Sequence, residues 1–291
     1  MKIRTAVIPV AGKGTRFLPA TKQTPKEMLP ILNVPMIHYI VEEAVQSGIE
    51  KIVFVTSTGK HSIAEYFDRN FELEAFLEEK GKVELKEQVK NIGEMIEIVT
   101  VHQKEQLGLG HAVLCAEGVV KDGAFAVLLG DDMVLSDDPN LPRCTKQLLD
   151  YSAQNNGANV IGVMEVDPNL TYKYGIVDGE KVDDRGIKMK RMVEKPKPEE
   201  APTNLATPGR YILRQEIFEI LKKTPKGVGG EIQLTDAINE ICKQGNTYAY
   251  KFEGERFDTG SLPGYLKATI HFAMRNPDTK ETMKEILESY S

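Results

Sequence analysis

Along the first half of the chain, short apolar runs alternate with amphipathic stretches. Ile3 to Val10 is rich in β-branched side chains and runs into Gly12 and Gly14, which predicts a buried strand followed by a turn. Pro35 suits a first helical turn. After it, Ile37, Ile40, Val41, Ala44 and Val45 share one helical face, and Gly48 closes the helix. The same reading gives strands over Lys51–Thr56, Met95–Val101 and Phe125–Leu129, and helices over His61–Phe67 and His111–Val119. Asp68 to Glu94 is dense in charge and reads as one or two surface helices with a solvated face. Later strands are expected over Ala158–Val166, Gly186–Val193, Leu205–Leu213 and Thr247–Phe252. Helices are expected around Leu234–Ile241 and Leu262–Ala273, and Met283, Ile286, Leu287 and Tyr290 form a stripe on a last helix.

Alternation of strand and helix implies an α/β fold: a mixed, mainly parallel sheet with helices on both faces and a C-terminal helical tail. With no long linker and no repeat, one body over residues 1–260 with a tail over 261–291 is the economical division. That tail packs on the core or on another subunit, so a homodimer or homotetramer is expected. The chain has 291 residues, enough to bury a large core without staples. Its three cysteines are widely spaced and form no C-x-x-C, which removes a disulfide framework or zinc knuckle and points to the cytoplasm. No apolar run reaches the length of a spanning helix. A net charge of −6 argues against nonspecific binding to nucleic acid or anionic membrane.

Against that acidic background, the first thirty residues carry Lys2, Arg4, Lys13, Arg16, Lys22 and Lys26 against Glu27 alone. This charge surrounds the loop from Ala11 to Pro19, directly after the first strand, where open α/β sheets bind ligands. Glycines there let backbone N–H groups approach an anion. The loop is not a Walker A loop, because Thr15-Arg16 follows Gly14, and not a dinucleotide fingerprint, because Phe17 stands where Gly or Ala is required. Arg16 has the planar fork for phosphate, and Lys26 offers a point charge. Asp131-Asp132 and Asp258 each follow a predicted strand. One aspartate from each segment suits Mg²⁺, although each segment alone reads equally as a turn or a helix cap. Gln103 before Gly108 and Gly110, the Tyr174-Gly175 pair and Glu194-Lys195 stand at similar strand ends.

In this order, these segments resemble the sugar nucleotidylyltransferase family. The carrying residues are Ala11-Gly12-Lys13-Gly14-Thr15-Arg16-Phe17-Leu18-Pro19, Pro25-Lys26-Glu27-Met28-Leu29-Pro30, Leu107-Gly108-Leu109-Gly110-His111, Glu194-Lys195-Pro196 and Gly230-Glu231-Ile232-Gln233-Leu234-Thr235-Asp236. The likeness spans about residues 2–272 and leaves out the last twenty. It implies the nucleotide-diphospho-sugar transferase fold and Mg²⁺-dependent attack of glucose 1-phosphate on UTP, giving UDP-glucose and pyrophosphate. Ala11, Gly12, Gln103 and Gly108 would hold the uracil with Glu27 nearby, and Gly14, Arg16 and Lys26 the triphosphate. Asp131 and Asp258 would bind Mg²⁺. Gly175 and Glu194 would bind glucose hydroxyls and Lys195 the sugar phosphate, while Gly209 lies in a matching segment without a firm role. Thymidylyl-transferring members usually carry Gln where Glu27 stands, which favours uridylyl transfer. The family often has one Asp where this chain has two, so Asp132 has no assigned part. The same chemistry with dTTP or another sugar 1-phosphate, or a noncatalytic nucleotide-sugar-binding subunit, are the alternatives left open.

Overall fold

The computed structural model describes residues 2–290; Met1 and Ser291, at the outer ends of the expected body and tail, lie outside the described residues. In chain order the elements are β1 (Thr5–Pro9), β2 (Pro30–Ile31), β3 (Val34–Pro35), α1 (Met36–Gln46), β4 (Lys51–Thr56), α2 (His61–Tyr66), α3 (Phe71–Glu79), α4 (Val83–Gly93), β5 (Glu97–His102), α5 (Leu109–Cys115), β6 (Ala124–Leu128) and β7 (Asp132–Leu135). Then come α6 (Cys144–Gln154), β8 (Asn159–Glu165), β9 (Gly175–Lys181), β10 (Gly186–Glu194), β11 (Leu205–Thr207), β12 (Arg210–Arg214), α7 (Ile217–Leu221), α8 (Leu234–Cys242), β13 (Thr247–Lys251), β14 (Glu255–Asp258), α9 (Leu262–Ala273) and α10 (Lys280–Ser289).

Ten strands form one mixed sheet in the order β11-β9-β10-β13-β8-β12-β6-β1-β4-β5. The expected parallel arrangement holds at one end, where β6, β1, β4 and β5 run together with Ala6 set between Ile52 and Ala126. The other end is richer in antiparallel pairs than the alternation suggested. There β12 pairs antiparallel with both β6 and β8, and β9 with β10 forms a long hairpin. Strand alternation sends Ala6, Ile8, Ile52 and Phe54 to a core shared with α1 and α6. Val7, Val53, Val55 and Val127 face a second core under α5, α7 and α8. Both faces are therefore sealed, which is why these strands read as unbroken apolar runs.

The expected strand over Leu205–Leu213 is two strands. Pro208 and Gly209 break it, with Gly209 at φ +105° and the Leu129 side chain where a Cβ would stand. The fourth strand stops at Leu128, and Asp132 opens a separate two-stranded ribbon, β7 with β14. The elements β7, α6, β9, α7 and β14 gave no clear periodic signal. The charged insertion forms α3 and α4, tied together by Arg69 to Glu74 and Glu94.

Beneath β6 and β7 lies a buried ionic knot. Arg210 and Glu43 are almost fully enclosed and meet at 2.8 Å. Glu43 also accepts from the Thr145 N–H and hydroxyl, and Arg210 donates to the Asp132 carbonyl. Replacing one partner leaves an unpaired buried charge. Arg210→Met is therefore expected to cost about 3–5 kcal/mol, read from the urea unfolding midpoint.

Candidate active site

The loop after β1 folds as three short 3₁₀ turns, Thr15–Phe17, Ala20–Lys22 and Lys26–Met28, as Pro19 in its middle requires. Gly14 sits at φ +65° and its carbonyl accepts from the Thr21 hydroxyl at 2.8 Å. A Cβ there would stand 3.2 Å from Lys26 Cβ, so the glycine lets the two ends of the loop close. The Ala11 carbonyl accepts from Ser57 Oγ at 3.1 Å and Gln106 Nε2 at 2.8 Å. Gly12, Lys13, Lys22, Lys26, Lys60 and Gln103 line a cavity of about 680 Å³. Gln103 Nε2 donates to the Gly108 carbonyl at 3.1 Å and contacts His111 Nδ1 at 3.0 Å. Gly108, at φ +93°, caps α5 where a Cβ would come within 2.7 Å of Glu231.

Glu27 behaves differently from its neighbours. It is buried, lines neither cavity, and pairs with Lys60 at 2.9 Å. Burial pushes the Glu27 carboxyl up and the Lys60 ammonium down, against their mutual attraction. No sequence signal marked Lys60.

A second cavity of about 730 Å³ holds Arg16, Asp131, Gly175, Glu194, Lys195 and Asp258 together. Asp131 stands between β6 and β7, and Asp258 ends β14. A Cβ on Gly260 would overlap Asp131 Oδ2 and lie 3.3 Å from Asp258 Oδ1, so the two carboxylates converge beside this glycine. Lys26 forms an ion pair with Asp131 from the first cavity, which joins the two. Burial alone would raise the Asp131 carboxyl, but Lys26 beside it outweighs that and holds it below the ordinary range. Arg16 Nη1 donates to the Gly260 carbonyl at 3.4 Å.

The far wall comes from the β9–β10 hairpin, whose register sets Gly175 opposite Glu194. A Cβ at Gly175 would press on Thr207 and Met192 and reach within 3.5 Å of Glu194 Oε2. Thr235 donates to that same oxygen at 2.6 Å. Lys195 occupies a left-handed conformation, φ +46°, and its N–H donates to the Tyr174 carbonyl at 2.9 Å. Such a conformation is uncommon for a residue with a side chain and collects at functional sites. Asp132 lines the same cavity, directly opposite Asp258 in the β7–β14 register, and its carboxylate is held by Arg256.

The family model for nucleotidyl transferases matches residues 5–274. The chain belongs to the nucleotidyl transferase family. A UTP–glucose-1-phosphate uridylyltransferase 2 of Staphylococcus saprophyticus is 49% identical over 287 residues, covering 99% of this chain and 98% of that protein. Among solved structures, the UTP-bound UGPase from Acinetobacter baumannii is 42% identical with a TM-score of 0.91, covering all of both chains. A UDP-glucose pyrophosphorylase complexed with UDP-glucose is 40% identical with a TM-score of 0.86, over 94% of this chain and all of that one.

No group of three or more His, Cys, Asp or Glu side chains converges among the described residues. Two hard oxygen ligands on one side of a cavity are too few for an all-protein cage. They do suit Mg²⁺, which keeps waters and takes the rest of its ligands from phosphates. Of the residues singled out from sequence, Arg16, Asp131, Gly175, Glu194, Lys195 and Asp258 share the second cavity, and Gly12, Lys26 and Gln103 the first. Lys60, Thr235 and Arg256 were not singled out. Thr235 stood in a quoted motif, and Arg256 lies two residues before Asp258, on the same side of its strand.

Proposed function

We propose that this transferase joins UTP to glucose 1-phosphate, giving UDP-glucose and pyrophosphate. The observation that carries the reading is the convergence of Arg16, Asp131, the adjacent Glu194 and Lys195, and Asp258, from four separate segments, on one cavity. The activities named for its full-length relatives supply the substrates. Ala11, Gly12, Gln103 and Gly108 form the uracil end, with Glu27 acting from behind by fixing Lys60. Gly14, Arg16 and Lys26 take the triphosphate. Gly175 and Glu194 take glucose hydroxyls, and Lys195 the sugar phosphate.

The chemical problem is electrostatic. The sugar phosphate is already nucleophilic, so no general base is required, but two anions must meet in line. Two unit charges ~4 Å apart repel by about 4 kcal/mol at an effective dielectric of about 20. Lys195, Arg16 and Lys26 offset that repulsion and hold the reacting groups in register. Magnesium, when held by Asp131 and Asp258, would neutralise phosphate charge and polarise the α-phosphorus.

A pyrophosphate-release assay with UTP, glucose 1-phosphate and Mg²⁺, leaving out one component at a time, tests the reading. Comparison with dTTP and galactose 1-phosphate tests the selectivity. Binding of nucleotide without pyrophosphate release would favour a noncatalytic subunit. Gly260→Ala is a sharper probe of the carboxylates, because its Cβ must push Asp131 Oδ2 aside. It is expected to lower kcat about 10- to 100-fold and to raise the Mg²⁺ concentration needed for half-maximal rate.

The division into a body over 1–260 and a tail over 261–291 belongs to the same proposal. The exposed Leu262, Leu266 and Ile270 on α9 offer a surface for a homodimer or homotetramer, which sedimentation would measure. No helix among the described residues is long and apolar enough to cross a membrane; a cytoplasmic location is part of the proposal.

A further inference from the structure

The carboxylates and the sugar-facing residues stand on different sheets. Asp132 and Asp258 belong to the β7–β14 ribbon, while Gly175 and Glu194 belong to the ten-stranded sheet. In-line attack demands that these two parts keep a fixed spacing. Register sets Asp132 directly opposite Asp258, and like charges so placed repel.

One side chain resolves both problems. Arg256, next but one to Asp258, grips the Asp132 carboxylate through Nε and Nη2, with the second contact at 3.0 Å. Its Nη2 also stands 4.0 Å from Asp258 Oδ2. Its remaining terminal nitrogen, Nη1, donates to the Tyr174 hydroxyl at 2.9 Å, and the guanidinium lies 5.1 Å from the Tyr174 ring centroid. Tyr174 in turn precedes Gly175, and its carbonyl accepts from the Lys195 N–H at 2.9 Å. A continuous chain of polar contacts thus runs from Asp132, beside Asp131, through Arg256 and Tyr174 to the backbone of Lys195.

We infer that Arg256 is a positioning residue that locks the sugar-phosphate wall to the carboxylate ribbon through Tyr174, and that Asp132 serves to aim it. This rests on the assignment of Asp131, Asp258 and Lys195 given above. Arg256 is specified over Lys because its rigid fork alone can bind a carboxylate with two nitrogens and still present a third. Asp132 therefore acts through Arg256 and leaves the cation site to Asp131 and Asp258.

The test uses the full-length enzyme and three variants: Tyr174→Phe, Arg256→Lys and their combination. Tyr174→Phe removes one hydroxyl and keeps the ring, so folding survives even if Arg256→Lys is unstable. Each single variant is expected to lower kcat/KM for glucose 1-phosphate about tenfold, the size of one charge-assisted hydrogen bond. The Kd for UTP alone should stay within about twofold, since the two side chains bond to Asp132 and to each other and not to Arg16 or Lys26. The double variant should be no worse than the weaker single one, because both break the same link. Tyr174→Phe with unchanged kcat/KM overturns the inference. So do losses that multiply in the double variant, which would mean that each group touches substrate separately. An equal loss of UTP binding overturns it too, as that marks general damage. Asp258→Ala runs alongside: full turnover there would sink the carboxylate assignment itself, whereas an inactive Asp258→Ala beside a normal Tyr174→Phe removes only the link.

Discussion

Asp131→Ala and Asp258→Ala are each expected to lower Mg²⁺-dependent pyrophosphate release at least about a thousandfold, equivalent to about 4 kcal/mol of transition-state stabilisation. The fold should persist, because both loops are held through atoms that alanine keeps. The Thr259 hydroxyl donates to the backbone carbonyl of Asp131 at 2.8 Å, and the Ser261 hydroxyl to that of Asp258 at 3.1 Å. Asp258→Ala is the cleaner of the two, since Asp131→Ala also leaves Lys26 without its partner. Circular dichroism would verify the fold, and titration of Mg²⁺ at fixed UTP would separate weakened metal binding from lost chemistry. Normal turnover in both variants would refute the metal assignment.

Lys195→Ala should raise the KM for glucose 1-phosphate and lower kcat, with a combined loss of about 10²- to 10³-fold. The ammonium is exposed in the cavity and stands 3.3 Å from Glu194 Oε1, so it is restrained near the sugar wall without being locked there. An approaching phosphate dianion would meet a charge already aimed at it. Affinity for UTP alone should hold, since Lys195 stands on the sugar wall beside Glu194 and Tyr174 and not on the loop after β1 that takes the triphosphate. Steady-state kinetics with glucose 1-phosphate varied, beside equilibrium binding of UTP, measure both. A loss confined to UTP binding would place Lys195 on the nucleotide side.

Much of the molecule was legible in the chain. Strands β1, β4 and β6 are buried on both faces, so their apolar runs are continuous and bounded by glycine or polar residues. Helix α1 follows Pro35 and carries a clean face. The loop from Ala11 to Pro19 and the pair Asp131-Asp132 stood out by composition and by their places at strand ends, whereas Glu194-Lys195 alone read as a surface turn and took its role only from the family resemblance. Less visible were short elements whose stability comes from partners remote in sequence. The strand β9 begins at a glycine and ends in Asp178-Gly179-Glu180-Lys181, a polar run that pairing with β10 alone holds extended. The break at Gly209 needed knowledge of the Leu129 side chain packed against it.

Local pattern thus determined which segments become strand or helix and which residue types sit at the strand ends, because periodicity and turn chemistry act over a few neighbours. Tertiary structure alone decided which of those ends meet. Lys60 beneath Glu27, Arg210 beneath Glu43, and Arg256 between Asp132 and Tyr174 are pairs 33, 167, 124 and 82 residues apart. Their attraction counts only once folding has excluded water from between them, and no pattern among near neighbours in the chain reveals it.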